Sequence, residues 1–401
     1  MTYDVEAVRS HFPALAAGVA HFDSPGGTQV PDVVADAIRM TMLSPLANRG
    51  RVTAAEQATD GIVLAARQAI ADLLGADPGG VVFGRSMTAL TYELSRTLAK
   101  TWQPGDEVAV TRLDHDANIR PWVQAAESAG AAVRWIDFDR ETSELTPEHV
   151  VAALSERTRL VAVTGASNLI GTRPDIAAIS ELVHQTKAQL FVDGVHLTAH
   201  TAPDMTAMGA DYFACSPYKF LGPHHGVVAA EPSLLQSLQP DKLSPSTNDV
   251  PERFELGTLP YELLAGTTAA VDFLAGLAPT HSQSNRRAAL VAAMKEVEAH
   301  EDRLRRLLED GLAALSGTTV HSRATHRTPT LLLTFDDHPA AAAYQFLSDL
   351  GINAPSSSFY AIEASQRLGL GAAGGLRVGL ACYNDDSDVE RLLDGLARFL
   401  K

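Results

Sequence analysis

Between residues 60 and 231 the chain returns again and again to short apolar runs that do not alternate with polar residues. They are VVFGR (81–85), EVAVTR (107–112), VRWIDFD (133–139), LVAVTGA (160–166), QLFVDG (189–194), YFACSP (212–217) and GVVAAE (226–231). A strand with one wet face alternates, whereas a strand covered on both faces does not. Helix-period segments such as TYELSRTLAKTW, NIRPWVQAAESAG and DIAAISELVHQT fill the gaps between the earlier runs. Strand–helix–strand repetition of this kind predicts an α/β fold with a doubly wound, mostly parallel, seven-stranded sheet. Only YKFLGPHH separates the last two runs, so the final strand is expected to run antiparallel.

After residue 260 the character changes. A polar-and-alanine helical stretch (about 284–316) leads to the strand TPTLLLTF (328–335) and the helix PAAAAYQFLSDLG. The strand LRVGLACY (376–383) follows, then a C-terminal helix opened by Ser387 with Glu390 three residues on, a capping-box signal. These elements predict a small α+β domain over 266–401, completed by residues 1–13, beside a large domain over 14–265. Gly369, Gly371 and Gly374 spell G-x-G-x-x-G, but they follow a helical stretch and precede a strand. A dinucleotide fingerprint needs the reverse order, so this is read as a loop.

Composition narrows the function. With 32 basic and 48 acidic residues the net charge is −16, and no basic cluster offsets it, so nucleic acid is excluded as an expected partner. The N-terminus lacks a signal-peptide layout, and no apolar run approaches the ~18 residues of a membrane helix. Cys215 and Cys382 are too few and too far apart for a disulfide framework or a zinc site. The chain is read as a cytoplasmic enzyme with no membrane partner and no metal.

Ligands of doubly wound sheets sit beyond the carboxyl ends of the strands. Ser86, Met87 and Thr88 follow the first run and open a helix, a ready phosphate cradle. His115 and Asn118 follow the second run, Asn168 the fourth, Asp193 and His196 the fifth, Ser216 and Lys219 the sixth. A phosphate site, a carboxylate and a lysine on one edge are what pyridoxal 5′-phosphate (PLP) requires. Its aldehyde needs an amine, its pyridine nitrogen an anion, its phosphate donors. His196 and His200 stand four apart, but the carboxylate and lysine already account for that neighbourhood. His224 and His225 are expected at the site mouth.

On these motifs the chain resembles the class V aminotransferase family of fold-type I PLP enzymes, most of all the Suf-type cysteine desulfurases and their relatives. The resemblance runs from HFDSPGGTQVP (21–31) through NRGRVTAAEQAT (48–59) to LRVGLACYND (376–385), and GADYFACSPYKFLGPHHG (209–226) is its most specific part. It implies that Lys219 holds PLP as a Schiff base and moves the Cα proton, and that Asp193 pairs with the pyridine nitrogen. It further implies that His115 stacks on the ring, that Asn168 and His196 flank the phenolic oxygen, and that Ser86, Met87, Thr88 and Ser216 hold the phosphate. Thr258 would reach the phosphate of the other subunit in a homodimer. Arg377 would clamp the α-carboxylate of an amino-acid substrate, with Asn118 and Ser358 nearby. The sequence departs from the desulfurases in three places. The stretch 354–370 has no cysteine, with Ser358 near the expected position; Tyr218 replaces a histidine and His196 a glutamine. A serine cannot carry a persulfide. The expected activity is therefore C–S cleavage on a cysteine-type amino acid without an enzyme persulfide, with aminotransfer or epimerisation as the alternative.

Overall fold

A computed structural model describes residues 3–277 and 285–401. Residues 1, 2 and 278–284, which the expected small domain includes, lie outside that range. A short strand β1 (Ala20–His21) precedes the seven strands of the central sheet. These are β2 (Val81–Gly84), β3 (Glu107–Thr111), β4 (Ala132–Ile136), β5 (Thr158–Thr164), β6 (Gln189–Asp193), β7 (Tyr212–Cys215) and β8 (Gly226–Ala230). Their order is β2-β8-β7-β6-β5-β3-β4. Only β8 runs against its neighbours, pairing antiparallel with both β2 and β7. The expected seven-stranded α/β sheet is present, with the antiparallel strand where the short YKFLGPHH connection puts it.

The missing alternation has a direct cause. Val81, Phe83, Ala109, Val161, Val163, Leu190, Val192, Phe213, Val227 and Ala229 point into one core. Their neighbours Val82, Val108, Val110, Leu160, Ala162, Phe191, Tyr212, Ala214, Val228 and Ala230 point into a second core on the other face. Both sets are apolar because helices cover both faces. One run breaks the rule. β4 is an edge strand, and Ala132 and Arg134 lie on its more open face while only Ile136 is buried. VRWIDFD is therefore not a doubly covered strand, and Arg134 pairs with the buried Glu107 of β3 at 2.6 Å.

The second sheet comprises β9 (Thr318–Val320), β10 (Thr330–Phe335), β12 (Ser356–Ser357) and β13 (Gly375–Gly379), in the order β12-β13-β10-β9. The remaining strand, β11 (Ile352–Asn353), pairs in parallel with β1, so the N-terminal segment is stitched to the C-terminal half. The division expected at 265/266 falls inside helix Tyr261–Gly276. The C-terminal helix is capped differently from the Ser387/Glu390 reading. It starts at Asp386, and Asp385 caps it by accepting from the Asp388 amide at 2.9 Å. Gly369, Gly371 and Gly374 all have positive φ in the turn before β13, consistent with a loop.

Candidate active site

A cavity of about 620 Å³ opens past the carboxyl ends of the central strands. Ser86, Met87, Thr88, His115, Asn168, Asp193, His196, Ser216, Lys219 and Arg377 all line it. Topology brings them together: the turn after β2, the segment after β3, the ends of β5, β6 and β7, and β13 from the second sheet meet at one place.

Ser86 is the N-cap of helix Met87–Ala99, and its hydroxyl accepts from the Ala89 amide at 3.1 Å. The amides of Met87 and Thr88 begin a 13-residue helix and have no acceptor within it, so they face an anion site. Gly226 of β8 presses on this turn, because a Cβ there would collide with the Met87 amide and Ser86 carbonyl carbon.

Asp193 ends β6 fully enclosed, with one oxygen accepting from the Val195 amide at 3.0 Å. Burial pushes its carboxyl up to about 6, opposed by that amide and by Lys219. Lys219 follows β7 and donates to the carbonyl of Pro25. Burial, with the Arg377 charge adding to it, holds its ammonium down to about 7, against the pull of Asp23 and Asp193. Its amine is therefore available as a nucleophile near neutrality.

His115 accepts from the Ala117 amide through Nδ1 at 3.0 Å, which leaves its proton on Nε2. Burial and then Lys219 hold it neutral, down to about 4. Tyr360 covers the ring at 5.5 Å between centroids. His196 is kept neutral chiefly by burial, with Nε2 3.0 Å from the hydroxyls of both Thr328 and Thr330. Three buried polar atoms at the cavity have no partner among the described residues: Asn168 Oδ1, His196 Nδ1 and Arg377 Nε. Such orphans cost roughly 1–3 kcal/mol each unless a bound group satisfies them.

Several expected residues stand elsewhere. Asn118 does not line the cavity: it is fully buried, donating to Asp114 at 2.7 Å and accepting from Trp122 at 2.9 Å, so both ends of its amide are used. Ser358 is displaced by one position, and Ser357 lines the cavity instead. Thr258 is exposed and outside the cavity of its own chain. Neither His224 nor His225 lines the mouth; His224 stacks on Tyr218, and the buried His225 bonds Thr267 at 2.6 Å.

Asp23, Tyr92, Arg120, Phe359 and Tyr360 also line the cavity, and none of them is among the residues expected from the sequence. For Asp23 a signal existed, an acid followed by the tight turn Pro25-Gly26-Gly27. Phe359 and Tyr360 have consecutive positive φ values of 52° and 58°, a backbone path that composition does not announce.

The family model described as aminotransferase class-V matches residues 20–392. An uncharacterised protein of Mycobacterium tuberculosis is 33% identical, with 99% of each chain covered. A probable cysteine desulfurase of Pseudomonas aeruginosa is 30% identical over 98% of each chain. Among solved structures, a cysteine desulfurase of Escherichia coli in an S-sulfonic acid form superposes with a TM-score of 0.87 at 25% identity, covering 99% of this chain and 98% of that one.

Proposed function

The chain belongs to the class-V aminotransferase family of PLP-dependent enzymes, and from that membership we propose that it cleaves the Cβ–S bond of a cysteine-type amino acid without storing sulfur on itself. One observation carries the cofactor reading: a buried amine, a buried carboxylate and a helix N-terminus share a single cavity with three orphaned polar atoms. PLP supplies an aldehyde for an amine and a ring that stabilises negative charge at the substrate Cα. Ser86, Met87, Thr88 and Ser216 would hold its phosphate, and Asp193 would face its ring nitrogen. His196 Nδ1 would donate to its phenolic oxygen, and Asn168 Oδ1 would accept from the phenolic hydroxyl. Lys219 gives the amine and acts as the base at Cα, and Arg377 orients the substrate carboxylate. Loss of the Cα proton to Lys219 with departure of the Cβ sulfur as thiolate completes an elimination.

Loading of cofactor-free protein with PLP should depend on pH through Lys219. The protonated amine is no nucleophile, so the rate should fall below about 7 and level off above it. An ordinary lysine would keep gaining rate to beyond pH 10. Stopped-flow absorbance from pH 5.5 to 9 checks this, and a rate still climbing at pH 9 counts against the assignment.

The absence of a persulfide is read from the two thiols. Cys215 is wholly buried in β7 and Cys382 nearly so, burial pushes both thiols far up, and neither lines the main cavity. A thiol that stays protonated and enclosed is no sulfur acceptor. Intact mass after cysteine treatment should show no reductant-sensitive gain of sulfur. The double variant Cys215→Ser, Cys382→Ser should keep releasing pyruvate and sulfide without an added keto acid. Loss of activity together with a lost sulfur adduct would show instead that the protein carries sulfur on a cysteine.

A dimer is part of the proposal. Met40, Met42, Leu43, Val52, Leu64 and Leu256 are exposed. They are carried by helices Asp32–Met42 and Ala54–Leu74 and adjoining loops, which the Arg49–Glu252 and Arg67–Glu255 pairs tie to the segment before Thr258. Large apolar side chains left exposed on these two helices and their adjoining loops are what a second subunit would cover. Sedimentation at micromolar concentration should give twice the chain mass, and Leu43→Asp with Val52→Asp should give monomers without activity.

A further inference from the structure

Asp23 lies between the substrate-orienting arginine and the lysine, and the sequence motif around it had no assigned task. Its backbone is pinned on both sides. Phe22 is buried, the Phe22 carbonyl accepts from the Gly379 amide at 2.8 Å, and the Ser24 hydroxyl donates to Leu380 at 2.6 Å. The Gly26 amide closes a turn onto the Asp23 carbonyl at 2.8 Å. From this fixed frame the carboxylate projects into the cavity, with its side chain 32% exposed.

Room for it comes from Gly26. A Cβ at that position would stand 2.6 Å from both Cγ and Oδ1 of Asp23, and nearer still to Oδ2, so any side chain there would push the carboxylate away. Oδ1 accepts from Arg377 Nη2 at 2.6 Å. Oδ2 accepts nothing among the described residues. On the other side of the pair Arg377 is 2% exposed, its Nη1 donates to the Asn168 carbonyl at 3.1 Å, and Phe359 covers its guanidinium at 3.6 Å. Only its Nε lacks a partner. Lys219 donates to the Pro25 carbonyl, and the Asp23 charge acts on its ammonium through space, so a substrate nitrogen arriving at Lys219 comes near this carboxylate.

We propose that Asp23 and Arg377 form one zwitterion-binding pair, Arg377 taking the α-carboxylate of the amino acid and the free oxygen of Asp23 taking its α-ammonium. The pairing rests on the proposed function above and adds its selectivity. A buried guanidinium alone would accept any small carboxylic acid. With Asp23 beside it, a ligand bearing only a carboxylate meets a like charge at the same guanidinium edge, whereas a zwitterion satisfies both partners. Gly26 is the residue that admits this second charge.

The experiment titrates purified PLP-loaded protein, its Schiff base first reduced with borohydride so that no amine can exchange with Lys219, with L-alanine, propionate and ethylamine in a calorimeter at fixed pH and ionic strength. Asp23→Asn should weaken L-alanine and ethylamine about tenfold or more, the scale of one charge-assisted hydrogen bond. The same variant should bind propionate more tightly than the parent, because the competing carboxylate is gone. Gly26→Ala, which displaces Asp23 without removing its charge, should reproduce the loss for L-alanine, while both variants retain the cofactor absorbance. Weakening of all three ligands together would show that Asp23 only props Arg377, and unchanged affinities would show a bystander; either overturns the pair. The same opposite shifts in protein that takes up no PLP would uphold the pair and overturn the cofactor reading instead.

Discussion

Lys219→Ala should lose at least roughly 10⁴-fold in turnover, because under the proposed function one side chain supplies both the amine for PLP and the base at Cα. Its surroundings suit both tasks. The amine sits at the end of β7, is held near 7 by burial, and reaches across to the N-terminal segment. The variant should still take up PLP without a covalent link, since the helix amides at Met87 and Thr88 and the Asp193 carboxylate are untouched. Borohydride treatment followed by peptide mass analysis should place the cofactor's mass on Lys219 in the parent and on no lysine in the variant. A label on another lysine, or turnover within tenfold of the parent, would remove Lys219 from the centre of the site.

The second large effect is expected at Asp193. Facing a ring cation it forms a desolvated ion pair, and removing one partner costs roughly 3–5 kcal/mol, or about 10²- to 10⁴-fold. Asp193→Asn should show this loss in turnover and in PLP retention. The stability of the empty protein should move the other way. Burial raises the folded pKa of Asp193 to about 6, above its unfolded value, so its favourable contribution is present at low pH and vanishes as pH rises through 6. At pH 8 the ionised, unpaired carboxylate is a burden. Cofactor-free Asp193→Asn should therefore melt at or above cofactor-free parent at pH 8, while saturating PLP should raise the parent's melting temperature more than the variant's. Equal responses to PLP in the two proteins would refute the ion pair.

Much of this molecule was legible in the sequence, for stated reasons. Strands covered on both faces must be apolar throughout, which is why six of the seven runs mark buried strands; β4 misled because its face carrying Ala132 and Arg134 is open. The carboxyl-end rule gathered residues from β2, β3, β5, β6 and β7 into one place before any contact was known. What failed was local detail. Asn118 lies in the right segment, but one helical step turns its amide toward Asp114 and Trp122. Ser358 missed by one because alternation along an extended segment sends neighbours to opposite sides. Tyr360 reaches His115 only through two consecutive left-handed residues, a conformation no propensity favours. Asp23 was overlooked because its importance depends on Arg377, a partner found only after the chain has folded back on itself.

That return also sets a timetable for synthesis. Ala20 pairs with Ile352 and Asp23 bridges to Gly379, so segments made first find their partners only when the chain is almost complete. At about 5–20 residues per second, the stretch from Ala20 to Ile352 takes roughly 15–65 s to emerge. Once β8 has emerged, and for the rest of that interval, Asp193 and Lys219 have all seven strands of their sheet available, while Phe22 and the Asp23 carboxylate still wait for Gly379 and Arg377. With the roles proposed above, a nascent chain of this design gathers the residues of its chemistry before those of its selectivity.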